Sequence, residues 1–149
     1  MTGKSYFVPA IAMGVITTAV TGVLLLIPGG LLLSHFLGLW FSKPLSLLSN
    51  WQGTLLVAIL FITLFILSLF LAAFSGGWIC AKRSGQDHEY SHALFLSILW
   101  AIATAILYST MEAPSLKLSV AAIVPGPAGY FTAAKIQIRK KQKQRPLIN

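Results

Sequence analysis

Charge is what this sequence has least of. Only 9% of its 149 residues are Asp, Glu, Lys or Arg, against roughly 25% in a soluble domain. A soluble fold of this length could not cover the 56% of residues that are hydrophobic, and the mean hydropathy is +0.81. The composition excludes a soluble globular domain and implies a single membrane-embedded unit over residues 1–149. Acids are scarcer still, at three: Asp87, Glu89 and Glu112. Cysteine is reduced to Cys80, so no intrachain disulfide can form and no redox compartment can be inferred. The first apolar stretch lacks an A-x-A-like site after it and exceeds the roughly 7–15 residues of a secretory signal core. It reads as a retained helix.

What is present is apolar length. A helix needs about 20 residues to cross the hydrocarbon of a bilayer. Four stretches reach or approach that: about 7–27, 54–74, 93–111 and 118–134. They predict an all-α integral membrane protein with four transmembrane helices. Residues 31–42, LLLSHFLGLWFS, are too few to span. Ser34, Gly38 and Ser42 recur every four residues beside His35, and the remainder is Leu, Phe and Trp. That pattern predicts a short helix in the outer interface, bent away at Pro28-Gly29-Gly30 and ended by Pro44. A re-entrant segment would fit the same letters. Trp40 and Trp51 suit an interfacial aromatic belt on that side.

The basic residues orient these stretches. Lys4, Lys82, Arg83, Lys135, Arg139, Lys140, Lys141, Lys143 and Arg145 fall on one side, and Lys43 and Lys117 on the other. The positive-inside rule then predicts both termini cytoplasmic, with 135–149 a basic cytoplasmic tail. The localisation this implies is the bacterial cytoplasmic membrane. In the tail, Lys135, Arg139, Lys140, Lys141, Lys143 and Arg145 adjoin the membrane. Anionic headgroups attract each such charge by about 1 kcal/mol. The net charge of +8 is thereby explained by lipid and topology, without nucleic acid.

Inside a bilayer, burying leucine gives no net drive, so small residues must let the helices approach. Each stretch carries a row spaced by four: Ala10, Gly14, Thr18, Gly22; Ser68, Ala72, Gly76; Ser97, Ala101, Ala105, Ser109; and Ala121, Pro125, Gly129, Ala133. These rows predict the packing faces, with Leu, Ile and Phe turned to lipid. The same rows could carry contacts with other membrane proteins or a second copy. The second and fourth stretches end alike, in SGGWICAKR and PAGYFTAAK, as two hairpins of one design would. A helix leaving a membrane through an aromatic and then a basic residue gives the same letters.

Two patterns could carry chemistry. His88-Glu89-Tyr90-Ser91-His92 reads H-E-x-x-H. On a helix this sets two imidazoles on one face with a carboxylate beside them, the zinc site of metallopeptidases. The stretch resembles the zinc-binding helix of membrane-embedded zinc peptidases at His88, Glu89 and His92. That resemblance implies zinc on the histidines and Glu89 as the catalytic base. A third ligand is needed, and His35 and Glu112 are expected at the far surface, which leaves Cys80 or a second chain. The alternative reading is a polar turn in which Gly85 bends the chain, Asp87 and Glu89 offset Lys82 and Arg83, and Ser91 or Asp87 caps the next helix. The second pattern, Pro125-Gly126-Pro127, predicts a break in the fourth helix that frees carbonyls near Ala121 and Ile123. Transporters bind ions at such breaks, but no intramembrane charge accompanies this one. Thr17, Thr18 and Thr21 could satisfy the freed carbonyls.

The leading expectation is a non-enzymatic membrane subunit, or an assembly or stabilising factor, without a cofactor. The alternatives are a small transporter or channel at Pro125-Gly126-Pro127, and a zinc hydrolase at His88, Glu89 and His92.

Overall fold

The computed structural model describes residues 7–41, 50–84, 88–110 and 122–144. They form four helices: α1 Phe7–Phe41, α2 Asn50–Arg83, α3 Glu89–Ser109 and α4 Pro125–Gln144. Three are long and apolar enough to cross a membrane, over Val8–Leu31, Ala58–Arg83 and Glu89–Ser109. The fold is therefore all-helical and suited to a bilayer.

Two elements differ from expectation. Residues 31–42 are not a separate interfacial helix: α1 runs unbroken through Pro28-Gly29-Gly30, and residues 31–41 are its last turns. Proline and glycine end helices readily in water. In hydrocarbon an opened turn would strand polar backbone groups at several kcal/mol each, and Pro28-Gly29-Gly30 falls within Val8–Leu31, a stretch apolar enough to span. At 35 residues, α1 is about 52 Å long.

The fourth helix runs past its expected end at 134, to Gln144, and of its expected start only Ala122 onward is described. Ala122 and Ile123 are helical, Val124 turns, and α4 starts at Pro125. Proline suits a first helical position because no donor is needed there. Nothing after it stops the helix, since KIQIRKKQKQ holds neither glycine nor proline. The basic segment expected as a tail is thus helical as far as Gln144. With five Lys and Arg between Lys135 and Lys143, α4 is not among the helices apolar enough to span. Lys4, Lys43, Gly85, Asp87, Glu112, Lys117, Ala121 and Arg145 lie outside the described residues, as do the side chains of Trp40 and Trp51.

Close approaches fix the topology. Gly14 meets Gly76 and Cys80, and Gly22 meets Ala72, so α1 and α2 are antiparallel. Gly129 meets Phe70 and Ala73, and Gly77 meets Tyr130 and Ala133, so α2 and α4 run parallel. α3 opposes both, with Trp100 at Gly126 and Glu89 at Lys141. α2 is central, α1 and α4 flank it, and α3 leans mainly on α4. The result is two antiparallel hairpins joined along α2 and α4. Their glycines are not used alike, since Gly77 packs on Tyr130 while Gly129 packs one turn earlier, at Ala73.

Adjacent glycines on α2 serve different neighbours. They stand about 100° apart around the helix. A Cβ on Gly76 would collide with Thr18 and the Gly14 carbonyl of α1. A Cβ on Gly77 would lie 3.0 Å from Tyr130 Cα of α4. The interior is accordingly made mostly of small side chains, Ala10, Ala72, Ala73, Cys80, Ala81, Ala93, Ala133 and Ala134, with Ile11, Leu69 and Leu96 among them, while most other Leu, Ile and Val face outward.

The predicted rows on α1, α2 and α4 lie on buried or half-buried faces, Ala121 aside. The row on α3 does not. Ser97 is buried and Ala101 half-buried, but Ala105 and Ser109 are exposed, and the buried line runs Ala93, Ser97, Thr104, Tyr108. A strict spacing of four drifts about 40° per step. α4 sits between two helices and buries an arc wide enough to absorb that drift. α3 packs chiefly on one helix, and its narrower arc does not.

Candidate functional site

Every Lys and Arg among the described residues lies at one end of the bundle, where α2 and α4 finish and α3 begins. Glu89 joins them there. It opens α3, where the positive end of the helix dipole favours a carboxylate. The expected cap Ser91 is not seen, and Asp87 lies outside the described residues. His88 holds the N-cap position without a side-chain cap bond, and Ser91 is exposed within the first turn.

Lys141 organises this end. Its Nζ donates to Glu89 Oε1 at 2.5 Å, to the Ser84 carbonyl at 3.2 Å and to the Ala81 carbonyl at 3.3 Å. An ammonium has three donors, and all three are engaged. Two of the acceptors are end-of-helix carbonyls of α2, which attract a cation. The third is the carboxylate at the start of α3. One side chain of α4 therefore ties the end of α2 to the start of α3. The Glu89 side chain is only 4% exposed. The Lys141 side chain is 30% exposed, so it is removal of the lysine that costs about 3–5 kcal/mol, because the carboxylate is left buried alone. The sequence expectation that Glu89 offsets Lys82 and Arg83 is corrected, since its partner comes from 52 residues away. A lone lysine among six basic residues gave no sign of being the one turned inward.

The other members of H-E-x-x-H fall on either side of this pair. His88 is exposed and His92 buried, with ring centroids 6.5 Å apart. His92 Nδ1 lies 2.5 Å from the His88 carbonyl. A carbonyl only accepts, so Nδ1 carries the proton. Metal-bound histidines are often oriented through such a contact. Cys80, the suggested third ligand, packs instead into the apolar cluster with Ala10, Ile11, Ala93, Leu96 and Ala134. No group of three His, Cys, Asp or Glu converges among the described residues. To act as a general base, Glu89 would first have to release Lys141.

Pro125-Gly126-Pro127 stands at the start of α4 and is held by α3. Gly126 lies directly under the Trp100 ring, where a Cβ would collide. Trp100 Nε1 donates to the Ala122 carbonyl at 3.0 Å. That carbonyl lies between the two expected to be freed, and Thr18 and Thr21 of α1 bond elsewhere. Thr18 Oγ1 donates to its own Gly14 carbonyl at 2.9 Å. With its one proton used there, Thr18 accepts from Tyr130 O–H at 3.2 Å. Thr21 pairs with Ser75, whose hydroxyl lies 3.0 Å away. Tyr130 and Trp100 meet edge to face at 6.3 Å. Beside them a groove of about 370 Å³ opens between α1 and α3, with Val15, Ala19 and Val23 on one wall and Leu99 and Ala103 on the other. Sequence reasoning assigned no role to Trp100 or Tyr130, because their partners lie on other helices and leave no local spacing.

The basic residues of α4 divide into two sets. Lys141 is turned inward, and Lys140 Nζ sits 4.5 Å above the Trp78 ring. Lys135, Arg139 and Lys143 are exposed and lie in one row along the helix. No protein family matches the chain, and neither a curated protein nor a solved structure does.

Proposed function

We propose that this chain is a non-enzymatic multi-pass protein of the bacterial cytoplasmic membrane, with both termini cytoplasmic. In this reading it is a subunit, or an assembly or stabilising factor, of a membrane complex with other membrane proteins or with further copies of itself. One observation carries the proposal: Glu89, the acid of the one catalytic-looking pattern, is engaged with Lys141 in holding three helices together. The gathering of the described Lys and Arg at one end supports the orientation.

Purification in mild detergent followed by identification of what co-purifies is the direct test. A monomer that brings no partner counts against the proposal. Glu89→Gln alone is not diagnostic of a zinc hydrolase, because it also weakens the ion pair. Lys141→Met separates the readings. If Glu89 is structural, both variants lose stability, and neither changes a metal content that is already negligible. Stoichiometric zinc, with hydrolysis abolished by Glu89→Gln but retained by Lys141→Met, would establish the enzyme instead.

The groove beside Trp100 and Tyr130 favours a second reading, a small transporter or channel that uses the Pro125-Gly126-Pro127 start of α4. Solute flux into liposomes that Pro125→Ala with Pro127→Ala alters would support it. Absence of flux in the wild type removes it.

A further inference from the structure

Lys135, Arg139 and Lys143 repeat at i, i+4 and i+8 on the last turns of α4, and all three are exposed. The same row begins at Phe131, whose ring is 37% exposed and stands 6.4 Å from Tyr90. One face of α4 therefore passes from aromatic to basic along its length. At its basic end Arg139, Gln142 and Lys143 line a shallow depression. Those side chains supply a guanidinium fork, an amide and an ammonium. Arginine binds the oxygens of a phosphate two at a time, and lysine adds a point charge.

We infer that Arg139, Gln142 and Lys143 form a binding site for the phosphate of an anionic phospholipid headgroup, with Lys135 as an additional cation one turn toward the membrane. The inference rests on the membrane placement proposed above. Three observations select a lipid as the source of the phosphate. α4 runs parallel to α2, the helix whose span ends at Arg83, and Lys141 reaches the carbonyls of that same end. The depression therefore lies at the level where α2 leaves the hydrocarbon. The row descends through Lys135 to an exposed aromatic, as suits a helix face passing from headgroups to acyl chains. Lys141 is turned to Glu89 and the exposed Lys140 lies over Trp78, so Lys135, Arg139 and Lys143 are the exposed cations of α4 that share one row. The set is accordingly narrower than the six basic residues expected from sequence, and it gains Gln142.

The test is reconstitution of the full chain into nanodiscs of mixed phosphatidylcholine and phosphatidylglycerol. Re-extraction in mild detergent then allows the retained lipid to be quantified by mass spectrometry. The wild type should retain phosphatidylglycerol over phosphatidylcholine. Arg139→Gln with Lys143→Gln should lower that preference about fivefold for each charge removed. A Lys140→Gln variant keeps the row intact and should keep the preference. Helical circular dichroism of each variant confirms that a loss is not unfolding. Equal retention of the two lipids by the wild type overturns the inference, as does a preference that survives the double substitution. Inorganic phosphate or a short RNA bound through Arg139 and Lys143, with no lipid preference, overturns the lipid assignment as well. The membrane placement fails by a different result: a C-terminal reporter on the far side of the membrane, with the lipid preference unchanged.

Discussion

The two halves of α2 live by different rules. From Ser75 to Ser84 the helix touches α1 through Gly76 and α4 through Gly77, and it receives the ammonium of Lys141 at its end. From Leu55 to Leu67 it displays Leu55, Leu56, Ile59, Leu60, Phe61, Ile62, Leu64 and Leu67 outward. In water the second half would be the adhesive one. In a bilayer its side chains meet lipid as apolar as themselves, so their burial contributes little. For α2, cohesion passes to close backbone approach, hydrogen bonds and an ion pair, made from Phe70 onward.

The sharpest test of that contrast compares two glycines. A Cβ at Gly129 would stand 2.8 Å from the Phe70 carbonyl oxygen and the Phe74 nitrogen, backbone atoms that cannot step aside. Gly129→Leu should cost about 3 kcal/mol or more, or prevent assembly of the bundle. Gly29 has nothing within 4 Å. Gly29→Leu should be neutral, or stabilising by up to about 1 kcal/mol through helix propensity. Reversible unfolding in mixed micelles reads both, and equal costs would break the comparison.

Next in size is the ion pair. Lys141→Met should destabilise by about 3–5 kcal/mol, and adding Glu89→Met should restore most of the loss, because no charge is then left buried alone. A double variant as unstable as the sum of the two singles would show that the residues act separately.

The hydrogen bonds come third. Tyr130→Phe removes the donor to Thr18 and should cost about 1 kcal/mol, or somewhat less, as is usual between membrane helices. The smallest effect belongs to the apolar half. Leu60 is 48% exposed, and Leu60→Ala should change stability by no more than about 0.5 kcal/mol. A loss above roughly 2 kcal/mol would mean that another protein surface covers this face in the membrane, and the contrast between halves would then apply only to the isolated chain.

What the sequence made legible follows the same division. Composition and apolar length gave the class, and spacing by four gave the faces of α1, α2 and α4, because those signals are local and periodic. The run of α1 through Pro28 was not legible, since a proline-glycine pair carries a water-based expectation that hydrocarbon reverses. The interruption of the fourth helix at Val124, beside Pro125, was legible because a proline lacks the donor a continuous helix needs. The H-E-x-x-H letters were legible as a pattern, but the role of Glu89 was not. Its partner lies 52 residues onward, and no local rule singles out Lys141 from Lys140 or Lys143.

That separation in the chain also sets a clock. At roughly 5–20 residues per second of synthesis, the 52 residues between Glu89 and Lys141 take about 3–10 s to emerge. α3 takes the first part of that interval to emerge, and for the rest α1, α2 and α3 exist without the cation that closes their charged end. The carboxylate and the carbonyls of Ala81 and Ser84 must stay with water or headgroups until it arrives. Docking of α4 on Glu89 and on the end of α2 is thus a late step of folding, since it cannot precede the synthesis of Lys141.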